Sequence, residues 1–386
     1  MTLRNVMTRW LLVLLAAAGA AVADPSVPAD DSLVVLRTAS SPEQLQLRAL
    51  ERALDPSDPI ALQSLVDAYL RIGRQTTEPR YFGRAEALLA PQLQGAHPPS
   101  QLMLRMADIW QYRHEYPKAL ALLERVLADD PDETRALLMR AAIREAQGRF
   151  DLAHADCRVL LGRGEATLGT TCLAQALGMT GSLTKAQRLL AALLERARDL
   201  PPAQRVWMLT ALADMEERLG RTADAEMRLR EALDVDAHAH YARLALADLL
   251  LDSSRGREIE ALLMPMPLTE GAELRLAEAR RGLWPSPLDA ERLEARFDEA
   301  SLRGERLHRR DLARLNLRVL GDERAALAWA LENWSEQREP ADARLLAEAA
   351  LAARDTAALA QLRQWREQTG YEDRQLDRIL ERAGRS

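Results

Sequence analysis

Gly178-Met179-Thr180-Gly181-Ser182-Leu183-Thr184-Lys185 brings together glycine, hydroxyls and lysine, the residue types that cradle phosphates. A phosphate loop needs G-x4-G-K-[ST] after a strand, and this segment has neither the spacing nor the strand. It reads as a helix–turn–helix. His238-x-His240 is the only close pair among six histidines. A spacing of two on a helix points the rings to different faces, so metal ligation is not expected there. No G-x-S-x-G elbow and no H-E-x-x-H helix occurs. Carboxylates are plentiful, but in a chain 28% charged no two of them stand out as a general acid and base. The expectation is a protein that is not an enzyme and uses neither cofactor nor metal.

Residues without chemistry of their own must then be explained by what they build. At 386 residues and 48% hydrophobic the chain has ample material for a core. Two cysteines cannot staple a small scaffold. A net charge of −6 and 4% aromatics argue against a dedicated nucleic-acid binder. Lys118 and Lys185 are the only lysines, so almost all positive charge is arginine.

Arg4 and Arg9 precede an uncharged run from Trp10 to Ala18, and Ala21-Val22-Ala23 offers small residues at −3 and −1 of a cleavage site. Residues 1–23 thus read as a signal peptide, with Asp24 as the new N-terminus. The 14 residues from Trp10 to Ala23 are too few to span a bilayer as a helix, which takes about 20. An exported, soluble chain in the bacterial periplasm is expected, with residues 24–40 a flexible polar linker rich in Pro, Ser and Asp. Ser41-Pro42-Glu43-Gln44 then reads as an N-cap, a proline at N1 and a capping glutamine at N3.

From there two rows of residues recur. The first is bulky: Leu89, Leu123, Cys157, Leu190, Leu229, Leu263, Phe297, Leu331 and Trp365, spaced by 34, 34, 33, 39, 34, 34, 34 and 34. The second is a large–small pair whose small members are Val66, Ala107, Ala141, Ala174, Ala213, Ala247, Ala277, Ala313 and Ala347. Two rows imply two helices per repeat: the small residue lets helix A approach helix B, and the bulky one fills the space between them.

Met103-x2-Met106-Ala107-x2-Trp110, followed by Ala119-x3-Leu123 and Pro131, resembles the tetratricopeptide repeat, W-x2-L-G-x2-Y, A-x3-F, P over 34 residues. Leu62-x2-Leu65-Val66-x2-Tyr69 and Ala85-x3-Leu89 match its two halves. Ala153-x3-Cys157, Ala186-x3-Leu190 and Ala225-x3-Leu229 repeat the second half, with Gly148, Gly181 and Gly220 at the A–B turns. The resemblance implies an all-α, right-handed superhelical solenoid of about nine helix pairs over 41–386. Repeats are clearest over 58–268 and degenerate over 269–369, where Trp284-Pro285-Ser286-Pro287 interrupts a turn. Leu376, Ile379, Leu380 and Ala383 make one apolar stripe, as a capping helix over 372–383 requires. Consecutive helices pack side by side in such an array, which brings Cys157 and Cys172 within reach of a disulfide in an oxidising compartment; Cys157 can equally serve as a small buried hydrophobe.

The resemblance also implies that the protein binds a partner protein or peptide segment in the concave groove lined by A helices, or alternatively serves as a fixed or accessory subunit of a cell-envelope or polysaccharide assembly. In the family's geometry the residue after each large–small pair projects into that groove. Here these are Asp67, Asp108, Ala142, Gln175, Asp214, Asp248, Glu278, Arg314 and Glu348. The expectation is an unpaired acidic stripe, with Trp207 and Tyr241 as aromatic anchors, that receives a basic segment.

Overall fold

The computed structural model describes residues 42–384 except 56–57, 77, 96, 198, 265–268, 284–286 and 303–308. The expected signal peptide and linker lie outside the described residues, as do Trp284, Pro285 and Ser286. The chain divides into two units, Met1–Ala49 and Leu50–Ser386, and helix α1 (Pro42–Ala53) begins in the first and ends in the second.

Within Leu50–Ser386 the helices follow one another with short turns. They are α2 (Pro59–Thr76), α3 (Pro79–Leu89), α4 (Ser100–Tyr112), α5 (Tyr116–Asp129), α6 (Thr134–Ala146) and α7 (Phe150–Gly162). Then come α8 (Ala166–Gly178), α9 (Leu183–Arg196), α10 (Pro202–Arg218), α11 (Thr222–Val235), α12 (His240–Asp252), α13 (Gly256–Leu263) and α14 (Glu270–Leu283). The array ends with α15 (Pro287–Leu302), α16 (Arg309–Leu315), α17 (Glu323–Glu336), α18 (Pro340–Ala352), α19 (Thr356–Thr369) and α20 (Arg374–Ala383). From α2 to α15 and from α16 to α20 each packs on the next, and alternate helices such as α4 and α6, α6 and α8, or α16 and α18 also touch. The even-numbered helices are therefore the A row and the odd-numbered the B row. No strand occurs among the described residues. The architecture is an all-α solenoid of tetratricopeptide-like helix pairs, as the two rows require.

All nine small members of the second row, from Val66 to Ala347, are buried. The bulky row is buried too, except at Leu331, which is half-exposed. Ala330 and Trp334 take its place, and Trp334 meets Trp365 edge-to-face at 4.9 Å. The slip follows a π-helical turn, Asn316–Leu320, which adds a residue between α16 and α17 and rotates the register.

Local chemistry starts and stops the helices where the pattern demands. Proline opens α1, α2, α3, α10 and α18. Asp322, Asp355 and Asp373 cap α17, α19 and α20 by accepting from backbone amides of the first turn. Many A–B turns pass through a left-handed residue: His114, Gly148, Gly181, Gly220, Ser254, Gly321 and Arg354. The Sγ atoms of Cys157 in α7 and Cys172 in α8 are joined in a disulfide, and both residues are buried.

The array also closes on itself. The loop before α18 touches the turns of α4–α7: Gln337 donates from Nε2 to Tyr116 Oη at 2.9 Å, and Arg338 N–H donates to Ala146 O at 2.7 Å. The loop before α20 reaches α8–α10, where Leu183 N–H donates to Glu372 Oε1 at 3.0 Å. Gln375 of α20 donates to Asp252 of α12 at 2.8 Å. The C-terminal repeats thus dock edge-on against the A–B turns of the middle repeats.

Candidate binding cleft

Closure walls in a cleft of about 530 Å³. Its sides come from distant segments: Arg74 of α2, Asp108 and Tyr112 of α4, His114 and Tyr116 at the next turn, Ala142 and Ala146 of α6, His240 and Leu244 of α12, Glu270 of α14, Asp311 of α16 and Glu339 before α18. Four of the lining residues are carboxylates and one is an arginine. Of the two tyrosines in the wall, Tyr112 stacks on Phe82 at 3.8 Å and Tyr116 is buried with its hydroxyl bonded to Gln337.

The structure corrects the expectation of an unpaired acidic stripe. The groove-facing carboxylates are paired with arginines, mostly one or two A helices along. Arg105 forks onto Asp67 at 2.8 and 2.7 Å. Asp108 holds Arg74 and, at 3.0 Å, Arg135. Asp248 takes both arms of Arg275, at 2.7 and 2.6 Å, and Arg314 at 2.6 Å. Glu278 accepts from Arg314, and Arg318 reaches Glu348 at 2.7 Å. Asp214 pairs within its own helix, with Arg218 at 3.3 Å. These pairs are rungs linking successive A helices. The physical reason is the helix spacing: side chains at neighbouring A-row positions are close enough for bidentate contact, and arginine matches carboxylate geometry.

Asp248 shows the strength of a rung. Burial raises its pKa, yet Arg275 and Arg314 hold the carboxyl at about 2. Of the eight residues expected to bind a partner, Asp108 alone lines the cleft. Trp207 is half-buried in α10. Tyr241 is 68% exposed, but within the concavity, where surrounding protein and the charges of Asp214 and Glu339 push its hydroxyl pKa up.

The residues that the sequence pattern did not single out are Asp311, Glu339 and Glu145. Asp311 lines the cleft without an ion pair among the described residues; His240 lines it too, and its pKa is lowered by burial, with Arg275 and Arg243 adding and Asp311 opposing. Glu145 follows the lining residues Ala142 and Ile143 in α6 and also has no ion pair among the described residues. Burial, with Asp214 and Glu339 nearby, raises its pKa to about 8. Among the described residues no group of three His, Cys, Asp or Glu is placed to hold a metal ion, and no helix is long and apolar enough to cross a membrane.

No family model matches the chain, and no curated protein matches it. Among solved structures it is similar to TTC0263, a tetratricopeptide repeat protein of Thermus thermophilus, with 23% identity over 53% of this chain and 100% of that one, at a TM-score of 0.37. A tetratricopeptide repeat protein from Parabacteroides merdae shares 14% identity over 64% of this chain and 93% of its own, at 0.40. Human IFIT1, solved as a dimer with PPP-AAAA, shares 15% over 89% and 87%, at 0.44. The helix pairs and their rungs, rather than these likenesses, define the fold.

Proposed function

We propose that this protein is an exported, periplasmic interaction scaffold whose central cleft receives a segment of a partner protein bearing lysine or arginine. The single observation that carries this reading is the contrast between Asp311 and the other cleft carboxylates, of which Asp108 and Glu339 are paired with arginine. Carboxylates along the A row are neutralised by arginine, whereas Asp311 inside the cleft has no such pair among the described residues. A carboxylate held unpaired in a concave, partly dry wall gains most from a cation that brings its own charge. The same unpaired carboxylate disfavours a phosphate group beside it, so a nucleic acid is the poorer occupant. Tyr112, its ring stacked at 3.8 Å on Phe82, lines the wall beside the charge. The leader-like residues 1–23 support export, and sequencing the mature N-terminus tests it: Asp24 as first residue is the expected result.

Calorimetric titration with short peptides tests the binding reading. An arginine- and tyrosine-containing peptide should bind several-fold more weakly at about 300 mM than at about 50 mM salt, and about tenfold more weakly to Asp311→Asn. Equal binding of a neutral peptide of the same length would overturn it.

A further inference from the structure

The C-terminal loops and the middle repeats meet along a seam built mainly from polar groups. Arg218, 1% exposed at the end of α10, donates to Gly178 O and to Glu372 O, and its guanidinium lies 4.6 Å over the ring of Tyr371. Arg344 of α18 bridges Glu217 of α10 and Asp373, to which Tyr371 Oη also donates at 3.1 Å. Phe150 and Met179 add a small apolar contribution to the C-terminal core. On either side, Arg338 lies against Gly148 and Arg374 against Gly220.

The charges that meet here do not balance. Glu145 comes from α6, Asp214 and Glu217 from α10, and Glu339 and Asp373 from the returning loops. Against these five carboxylates, with Glu372 as a sixth, stand Arg218 and Arg344 and, at the flanks, Arg338 and Arg374, while Arg310 of α16 is shared between Glu339 and Asp342. Tyr241 of α12 faces the same space. Bringing excess negative charge together in a partly buried seam is unfavourable unless protons come with it.

We propose that this seam is a latch, opening and closing as a unit, that closes more firmly as the solution becomes acidic, through the carboxylates it brings together, Glu145 and Glu217 foremost. The direction follows from the groups around each carboxyl. Burial raises Glu145 to about 8, with Asp214 and Glu339 adding and Arg218 opposing. Burial raises Glu217 to about 7 against the pull of Arg344, with Asp214 and Asp373 adding. Parting the seam removes Glu339, Arg344 and Asp373 and admits water, so both carboxyls return toward 4.5. A carboxyl that holds its proton more tightly in the closed state favours closure fully below about pH 4.5. That advantage is lost as pH rises through about 7 and 8. Gln337 and Glu339 flank the cleft, so an open latch also loosens one of its walls.

Two backbone amides report the latch directly. Leu183 N–H, at the first turn of α9, donates across the seam to Glu372, and Arg338 N–H, in a loop, donates to Ala146 O. Hydrogen exchange of these two amides in the full chain, corrected for base catalysis, measures opening. Opening should become at least about tenfold more frequent between about pH 5.5 and 8.5. The double variant Glu145→Gln, Glu217→Gln should flatten that dependence, while amides inside α4 and α10 keep their protection at both pH values. The latch is overturned if exchange of Leu183 and Arg338 does not change with pH. It is equally overturned if the dependence survives undiminished in the double variant, or if the core amides lose protection in step with the two reporters.

Discussion

The Arg218 guanidinium stacks 4.6 Å over the Tyr371 ring, joining the end of α10 to the loop before α20. Arg218 is also the donor to the last carbonyl of α8 and to Glu372 O. One buried cation therefore ties three segments. Arg218→Ala should lower unfolding stability by about 3 kcal/mol, because it strands buried acceptors and removes the ring contact. Chemical denaturation measures this, and a loss below about 1 kcal/mol would show that the seam contributes little.

Gly181 and Gly370 touch backbone to backbone across the seam. Gly181 has φ +73, and a Cβ there would lie 3.3 Å from Gly370 O. Gly164 has φ +88 with open space around it. Gly164→Ala should cost only the left-handed strain, about 1 kcal/mol. Gly181→Ala should cost about 1–3 kcal/mol more, since backbone cannot yield as a side chain does. Equal thermal shifts in the two variants would deny the close approach.

The rungs make the A row a stability element. Asp248→Ala takes the carboxylate partner from Arg275 and leaves Arg314 with Glu278 alone, their side chains being 10% and 11% exposed, and should cost about 2 kcal/mol after allowing for the partial exposure of Asp248. Arg230→Ala, in an exposed pair, should change stability by less than about 0.5 kcal/mol. Since the Asp248 pKa is depressed to about 2, its contribution is present above pH 3.8 and lost as pH falls toward 2. Asp248→Asn should lack that part of the acid loss in pH-dependent melting. Changing Asp108, Asp214 and Asp248 together to lysine is accordingly expected to lower melting, contrary to what an unpaired stripe would give.

The two rows were legible because they depend on local periodicity. Val66 to Ala347 repeat at the helix-pair interval, and burial follows the interval without exception. The rungs were only half legible. Asp67 and Arg105 lie 38 residues apart, and Asp248 and Arg275 lie 27 apart, so pairing needs the spacing between A helices as well as the face of each. Arg105 and Arg275 do stand immediately before the large member of the next pair, Met106 and Leu276, and that position was a usable signal. The seam and cleft were not legible. Gln337 meets Tyr116 across 221 residues, and such contacts depend on rotation accumulated over many repeats, which no local pattern records.

The Cys157–Cys172 bond closes a segment of 15 residues between α7 and α8. Reduction should lower stability by about 3 kcal/mol. Both cysteines are buried, so a reductant should act on the folded chain slowly and on the denatured chain at once. Thiol counting under the two conditions reads this out; two free thiols in the untreated, denatured protein would contradict the bond.

Site-specific photo-crosslinking in envelope extracts asks whether a cation-bearing segment of a partner lies in the cleft. A photoreactive residue replaces Gln111, which lines the cleft, or Arg158, which is exposed on α7, and the captured segment is sequenced by mass spectrometry. Capture is expected from position 111 but not 158, of a segment containing lysine or arginine, and it should be lost in Asp311→Asn. Capture from position 158 alone, or an acidic segment at position 111, would contradict a cation-receiving cleft.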